Sequence, residues 1–341
     1  MAKTSVAVEI TEESVRAVEL TRGAHPRIVA AGEVALPPDA AKDSEVIDQD
    51  AVALALRQLW SRAGIRSRIV RLGIASRRIL IREHSSAAMS PHLHKQALPF
   101  QVQDMLPVPV SQAVLDFYPV SHADGMVHGL LIAAVSETIE ELIATLAKAR
   151  LHVDAVDIVP FGLARVGRVL AAPDETMAMV HIGDHTTYVV VLVGGVPQFV
   201  RMIPADLETS AVSERRRVTS EADVPVLETV PPVEPPLRGR AALRAASASS
   251  AAIDDLALRV RNTLAFHESK PDTEPVSVVR ICGAGVAVPG VVDALSAALD
   301  AQLSPVTAED IVHARSIELE SADLSLNLVG ITGMLLEGGR R

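Results

Sequence analysis

Histidines are the residues whose spacing most directly suggests chemistry in this chain. His181 and His185 are four residues apart, and His92 and His94 are two apart. The first pair falls on a predicted turn rather than on a helix, so its side chains do not share one metal-binding face. The second pair has no cysteine or third clustered ligand beside it. We therefore predict no metal site and interpret these residues as surface or loop histidines.

The single cysteine, Cys282, ends a predicted strand and has no matching His/Asp pattern. This placement favours a buried, inert thiol over a catalytic one. One cysteine also excludes an internal disulfide framework and suits a reducing cytoplasm.

Two hydrophobic hairpins with polar turns form an internal repeat. The stretch VAVEITEESVRAVEL (6–20) aligns without a gap on AMVHIGDHTTYVVVL (178–192). In each, apolar residues alternate on both sides of a short polar turn, which predicts strand, turn and strand. A true repeat predicts two similar lobes around a cleft. The alternative is that two hydrophobic hairpins align by chance.

The composition restricts the class of protein. A chain of 341 residues suits two lobes of ordinary domain size, and 49% hydrophobic with 22% charged residues is typical of globular proteins. The net charge of -10 argues against a nucleic-acid binder, which needs a basic face. No apolar stretch reaches the ~18 residues of a membrane span, and the first residues lack a signal-peptide pattern. We expect any membrane role to go through a partner.

The order of predicted elements indicates a domain organisation. We predict a first lobe at 1–170 that contains a small α/β subdomain at about 86–155, and a second lobe at 171–320. The prolines, the SERRR run and the Ala/Ser-rich ASASSAA at about 205–250 predict a disordered surface insertion with a solvated charged loop. Residues 321–341 are predicted to form a C-terminal amphipathic helix.

Six stretches in the same order resemble the PilM family of actin-like type IV pilus assembly proteins. They are VAVEITEESVRAVEL, KQALPFQVQDMLPVPVSQAVLDFYPV, LLIAAVSETIEELIATLAKARLHVDAVDIVPFGLARV, VHIGDHTTYVVVLVGGVPQFVRMI, RNTLAF and ICGAGVAVPGVVDALSAAL. The resemblance covers nearly the whole chain. It implies an α/β fold of the actin-like (ribonuclease H-like) two-lobed ATPase class, with an extra subdomain of the kind found in the cell-division protein FtsA.

The same resemblance implies a nucleotide site. In actin-like ATPases the two hairpin turns grip the nucleotide phosphates, and a Gly-rich element touches the base and sugar. The cofactor implied is ATP with magnesium. The positions of this chain that match the family's cofactor-binding residues are Glu9, Ser14, Arg16, Gly183, Thr186, Thr187, Gly283 and Gly285.

The first turn departs from the family pattern. Where the family has Asp-Ile-Gly-Ser-Ser, this chain has Glu9-Ile10-Thr11-Glu12-Glu13. Thr11 is less permissive than Gly, and the carboxylates of Glu12 and Glu13 would face a triphosphate of like charge. His181 replaces an Asp that helps hold magnesium, and His is a poor Mg²⁺ ligand. We predict that nucleotide binding is weakened or lost and that no residue is catalytic.

For function, the resemblance implies a cytoplasmic scaffold at the inner face of the cell membrane. Such a scaffold binds the cytoplasmic tail of a bitopic PilN-like partner and contacts other pilus machinery. The resemblance implies that the tail lies in a groove between the first lobe and the extra subdomain, walled here by parts of residues 65–135. We expect an extended or helical peptide in an apolar groove there. Two alternatives stay open: a nucleotide-hydrolysing or sugar-kinase-like enzyme, and an FtsA-like filament-forming cell-division protein.

Overall fold

The computed structural model describes residues 3–222, 238–271, 273–314 and 322–336. The strands are β1 Thr4–Ile10, β2 Ser14–Thr21, β3 Arg27–Ala35, β4 Ala41–Lys42, β5 Glu45–Val46, β6 Ile69–Ile74, β7 Leu80–Ala87, β8 Ala113–Ala123, β9 Met126–Val135, β10 His152–Ile158, β11 Thr176–Ile182, β12 Thr186–Val193, β13 Val196–Pro204, β14 Val278–Cys282, β15 Gln302–Pro305 and β16 His313–Ala314. The helices are α1 Gln49–Ala63, α2 Pro91–Val102, α3 Ser136–Lys148, α4 Val159–Leu170, α5 Ser210–Ala222, α6 Arg238–Glu268, α7 Val291–Ala298, α8 Ala308–Ile311, α9 Ala322–Asn327 and α10 Val329–Leu335.

Two sheets repeat the same strand arrangement. The first has the order β10-β6-β1-β2-β3-β16, and the second has the order β13-β12-β11-β14-β15. In each, an antiparallel three-strand meander is extended by two parallel strands on the side of its first strand. The registers also agree, because Val8 pairs with Ala17 and Val180 pairs with Val189, which are equivalent positions of the gap-free alignment. The predicted internal repeat is therefore confirmed.

Helices α4 and α10 lie between the two sheets and form the centre of the molecule. Helix α4 contacts β10, β11, β12 and β13, and α10 contacts α4 and β1. The two helices approach so closely that a Cβ at Gly162 would lie 2.1 Å from the carbonyl oxygen of Gly330. From Val329 to Met334 every residue of α10 is buried. The expectation of an amphipathic helix is wrong for this segment, because α10 is surrounded by the core and has no solvent face.

The third sheet, of order β7-β9-β8, forms a small unit with helix α2. Leu98 and Val102 of α2 pack on Leu131 of β9 in a small apolar cluster. Helix α3, which follows β9, packs on α1 and β10 of the first sheet. Strands β7 and β8 are both edge strands of this sheet.

The interval predicted to be a disordered insertion contains helices. Helix α5 covers Ser210–Ala222, and α6 already begins at Arg238; residues 223–237 lie outside the described residues. The composition of 210–222 predicts disorder, but α5 forms there because distant residues contact it, among them Glu13, which forms an ion pair with Arg215. The domain boundaries given above stay a prediction. No helix in the described part of the chain has both the length and the apolar character of a membrane crossing.

Candidate functional site

The turns that follow β1 and β11 face each other across the cleft between the two sheets. In the first, the amide of Thr11 donates to the carbonyl of Ser14 at 2.8 Å; in the second, the amide of Gly183 donates to the carbonyl of Thr186 at 3.0 Å. These are equivalent positions of the repeat. Thr11 does not adopt a positive φ, so the turn tolerates a side chain there without backbone strain.

Arg16 joins the two turns from inside the cleft. It lies on β2 opposite Glu9 and is only 2% exposed. Its Nε lies 3.2 Å from Glu33 Oε1, and its Nη2 lies 3.4 Å from Asp184 Oδ2 on the second turn. The hydroxyl of Ser14 donates to Glu33. A guanidinium held between carboxylates from two sheets connects both lobes through one buried side chain.

Glu9 and His181 are equivalent residues at the ends of β1 and β11, and both are buried. Burial raises the pKa of Glu9 to about 7, while Arg16 lowers it and the carboxylates of Glu33 and Asp184 raise it. Burial, assisted by the charge of Arg16, lowers the pKa of His181 to about 3. His181 is therefore neutral at pH 7, and neither ring nitrogen has a hydrogen-bond partner among the described residues.

A second group of charges lies at the outer side of the turns. His185 Nε2 is 2.8 Å from Glu13 Oε1, and its Nδ1 is 2.8 Å from Asp206 Oδ1. Arg215 of α5 approaches the same Glu13 oxygen at 2.9 Å and Glu12 Oε1 at 3.7 Å. The hydrogen bond to Glu13 raises the pKa of His185 to about 9 against its partial burial. Burial would raise the pKa of Glu13, but His185 and Arg215 hold it below its ordinary value.

Arg77, just after β6, completes this connection between the lobes. Its Nη2 donates to the carbonyl of His185 at 2.7 Å, its Nε donates to Thr186 Oγ1 at 3.0 Å, and its Nη1 lies 3.1 Å from Asp43 Oδ1. The donors of this guanidinium thus engage the second turn directly.

The space that remains between the turns is small. The buried hydroxyl of Tyr188 donates to the carbonyl of Ala75 at 2.6 Å and closes one side. A cavity of about 40 Å³ remains, lined by both turns and by Glu9, Arg16 and His181. A space of this size is enough for water.

The structure brings together part of the predicted cofactor-binding set. Glu9, Arg16, Gly183 and Thr186 line the same cavity. Ser14 is adjacent, since its hydroxyl accepts from Arg16 Nε at 3.4 Å. Arg16 thus contacts Ser14 and, through Asp184, the second turn, and Thr186 accepts a hydrogen bond from Arg77.

The other three predicted residues do not line that cavity. Thr187 is fully buried, and its hydroxyl has no partner among the described residues. A Cβ at Gly283, where φ is +91°, would lie 2.3 Å from the carbonyl oxygen of Ile182, and one at Gly285 would lie 2.3 Å from Ile182 Cγ2. The two glycines are thus required by the close approach of this loop to β11.

The sequence analysis missed five charged residues of the cleft: Glu33, Asp43, Arg77, Asp184 and Arg215. Asp184 had a usable signal, because the repeat alignment places it opposite Glu12 in the other turn. Arg215 belongs to the SERRR run, which was interpreted as a solvated loop. Glu33 and Arg77 carry no local signal, because only the sheet register and the cleft bring them to the turns.

One group of side chains has the spacing of a metal site. Ligand atoms of Glu12, Glu13 and His185 lie within 4.8 Å of one another, which makes them the one such group in the described ranges. Arg215 already neutralises both carboxylates, and His185 is protonated at pH 7. A metal ion would have to displace a proton and a guanidinium, so protein cations fill this position.

The charge of His185 predicts a pH dependence of stability. Its folded pKa of about 9 exceeds the ordinary 6.5, so its contribution is complete below pH 6.5 and is lost as the pH rises through 9. Between these limits we expect the free energy of unfolding of the wild type to fall by on the order of 1 kcal/mol more than that of His185→Gln. Urea unfolding measured across this pH range tests it. Parallel pH profiles of the two proteins would contradict the expectation.

An apolar groove lies away from the cleft, on the three-stranded sheet. It has a volume of about 730 Å³ and is formed by helix α2 and edge strand β8, with all its lining residues between Met89 and Val127. Leu98, Leu115 and Phe117 contribute apolar surface, and Lys95 and Asp116 contribute charges. Its residues fall within 65–135, but the groove lies inside the predicted subdomain and not between that subdomain and the first lobe, where the sequence analysis expects the peptide.

Comparisons with known proteins agree with this architecture. A structure described as the PilM-PilN type IV pilus biogenesis complex is similar with a TM-score of 0.78 and 21% identity, covering 98% of both chains. The ethanolamine utilization protein EutJ from Carboxydothermus hydrogenoformans has a TM-score of 0.54 and 15% identity, covering 99% of this chain and 91% of that chain. A Bacteroides thetaiotaomicron protein with an actin-like ATPase fold and unknown function has a TM-score of 0.51 and 7% identity, covering 98% and 96%. The predicted two-lobed actin-like fold is confirmed.

The family itself is established at the level of sequence. A search against individual curated proteins found no significant match, but a model of the whole family does match the chain. The family model described as type IV pilus assembly protein PilM matches residues 7–202, which is more than half of the chain. The chain therefore belongs to the PilM family of type IV pilus assembly proteins.

Proposed function

We propose that this chain is a cytoplasmic scaffold of the type IV pilus inner-membrane assembly complex, and that it binds the cytoplasmic tail of a bitopic PilN-like protein. Family membership supports the role in pilus assembly. The similar solved structure is a PilM-PilN complex, which supports the choice of partner. In this proposal the chain lies at the inner face of the membrane and reaches it only through its partners.

The observation that carries the proposal is the groove between α2 and β8. Its volume of about 730 Å³ is in the range of sites that enclose a ligand. Strand β8 is an edge strand, so an extended peptide can add to it through main-chain hydrogen bonds while apolar side chains enter the groove. The ring of Phe117 packs on His94 with centroids 4.5 Å apart, which stiffens one wall before the peptide arrives.

We further propose that binding does not depend on a nucleotide. The cavity of about 40 Å³ between the turns is far below the ~300 Å³ at which ligand pockets begin. Arg16, Arg77 and Arg215 already pair with protein carboxylates there. Glu12 and Glu13 would repel a triphosphate, and neutral His181 is a poor magnesium ligand. These residues do not fit ATP with magnesium, so we assign the chain no step that uses it.

A direct test measures tail binding with and without Mg-ATP. The purified protein is titrated into the fluorescently labelled cytoplasmic tail of the bitopic pilus protein from the same genome, and anisotropy is recorded. We expect saturable binding that is indifferent to Mg-ATP. Tighter binding with Mg-ATP would contradict nucleotide independence and favour the ATP-using alternatives. Absence of binding in both conditions would overturn the scaffold proposal.

A charge placed in the groove should weaken this binding. Val114 of β8 lines the groove and is 48% exposed, so Val114→Glu removes apolar contact without disturbing the core. We expect the affinity for the tail to fall at least ~tenfold, equivalent to ~1.4 kcal/mol. The matched control is Val292→Glu on α7, where valine is 37% exposed and lies outside the groove. Equal weakening by both variants would show that the groove is not the binding site.

A further inference from the structure

A second groove lies between the three-stranded sheet and the second lobe. It has a volume of about 590 Å³, and strands β7 and β13, which contact each other, both line it. Each is the outermost strand of its own sheet, so each carries backbone groups that no neighbouring strand pairs in the described part of the chain. Two free sheet edges along one groove are suited to an added extended strand.

The charges in this groove are mostly positive, although the chain as a whole is acidic. Arg77, Arg82, Arg201 and Lys270 line it, against the single carboxylate Glu83. Lys270 forms an ion pair with Glu83, which cancels that carboxylate. In a protein of net charge -10, this is a local reversal of sign.

Two of these cations are available to a ligand. Arg82 on β7 and Arg201 on β13 are exposed, and neither has an ion pair or side-chain hydrogen bond with any described residue. Arg77, in contrast, is held by the second turn and Asp43. A guanidinium presents a planar fork of donors that matches a carboxylate, so the two free arginines are suited to acidic side chains.

The same groove offers apolar surface. Phe266 at the end of α6 is 54% exposed, and the partly buried Leu80 and Met202 lie on β7 and β13. Lys270 Nζ lies 4.9 Å from the ring centre of Phe199 and 5.5 Å from that of Phe266, which fixes both rings at the base. An exposed aromatic ring beside unpaired arginines resembles the composition of protein-binding surfaces.

We propose that this groove is a second docking site, which binds an extended acidic segment of a partner protein with its carboxylates on Arg82 and Arg201 and an apolar side chain on Phe266. The groove lies apart from the one between α2 and β8, and no residue lines both. Nucleic acid is the less suitable occupant, because the sheet edges and the apolar base match a peptide and only two arginines are free. The proposal does not depend on tail binding.

The test uses the full chain and labelled peptides of about ten residues, near the upper length of a strand. One peptide alternates Asp or Glu with Leu, Val and Phe; two controls replace the acids by their amides or by Lys. A single-stranded DNA of similar size is the competing probe. We expect only the acidic peptide to bind, and neither control peptide nor the DNA. Its affinity should fall as the salt concentration is raised.

Two variants locate the site. We expect Arg82→Glu with Arg201→Glu to weaken the acidic peptide at least ~tenfold, and Phe266→Ser to weaken it severalfold. Arg68→Glu is the matched control, since Arg68 is exposed and lines neither groove. Circular dichroism spectra and urea-unfolding midpoints equal to those of the wild type would show that every variant is folded. Undiminished peptide binding by the double variant, no acidic-peptide binding by the wild type, or preferred binding of the DNA would each overturn the proposal.

Discussion

Replacing Arg16 by methionine is expected to lower the free energy of unfolding by about 3–5 kcal/mol. The side chain is buried and neutralises Glu33 and Asp184, and it also offsets the charge of Glu9 across the β1–β2 ladder. Methionine keeps most of the volume but leaves the buried Glu9 and Asp184 and the partly buried Glu33 without a neutralising cation. Urea unfolding at neutral pH, monitored by circular dichroism, measures the loss.

Two further variants separate charge from shape. Arg68→Met makes the same chemical change at an exposed position and should leave stability within about 0.5 kcal/mol of the wild type. Adding Asp184→Asn to Arg16→Met should recover part of the loss, since one uncompensated charge is then removed. If Arg16→Met unfolds at the same urea concentration as the wild type, the buried charge network does not hold the lobes together.

A methyl group at Gly333 is expected to cost about 3 kcal/mol or more. Its Cβ would lie 2.1 Å from the carbonyl oxygen of Gly162 and 2.7 Å from Val166 Cγ2. The first of these atoms belongs to the backbone of α4, so the clash is relieved only if α4 and α10 separate. Both helices pack between the two sheets, and their separation would disturb both lobes. The midpoint of thermal or urea unfolding of Gly333→Ala tests this.

Gly330→Ala is the matched control on the same helix. There the nearest atom to a new Cβ is Val159 Cγ1 at 2.6 Å, a side-chain atom, and the next lies at 3.8 Å. Only the side chain of the buried Val159 has to give way and no backbone has to move, so we expect a smaller loss of about 1–2 kcal/mol. Equal destabilisation by the two alanines would mean that helix conformation, rather than the close approach of backbones, decides the effect.

Local patterns were sufficient for the two hairpins and for the repeat. Alternation in 6–20 and 178–192 is a short-range signal, and both hairpins form with the register that the alignment implies. Helix α1 begins after the N-cap Asp48, whose side chain accepts from the amides of Asp50 and Ala51, and it ends at Gly64 with φ of 67°. Such caps act within one turn of helix, which is why they can be read from sequence.

Local sequence patterns could not predict which helices are buried or which distant residues pair. The apolar run in 329–335 was interpreted as amphipathic, because sequence shows the residues but not that core surrounds the helix on every side. The run SERRR was interpreted as solvated, since nothing local indicates that Arg215 meets Glu13, 202 residues earlier in the chain. The proline-rich part of that interval, 223–237, lies outside the described residues.

The sequence by itself determined the actin-like class, the PilM-like order of motifs and the unusual acidic first turn. The tertiary structure decided what surrounds that turn: His185 and Arg215 converge on it from separate elements, while Arg16 bridges Glu33 and Asp184 behind it. The division has a physical cause. Hydrophobic periodicity and caps act between near neighbours in the chain, whereas charges pair with whichever partners the packed sheets bring within a few ångströms.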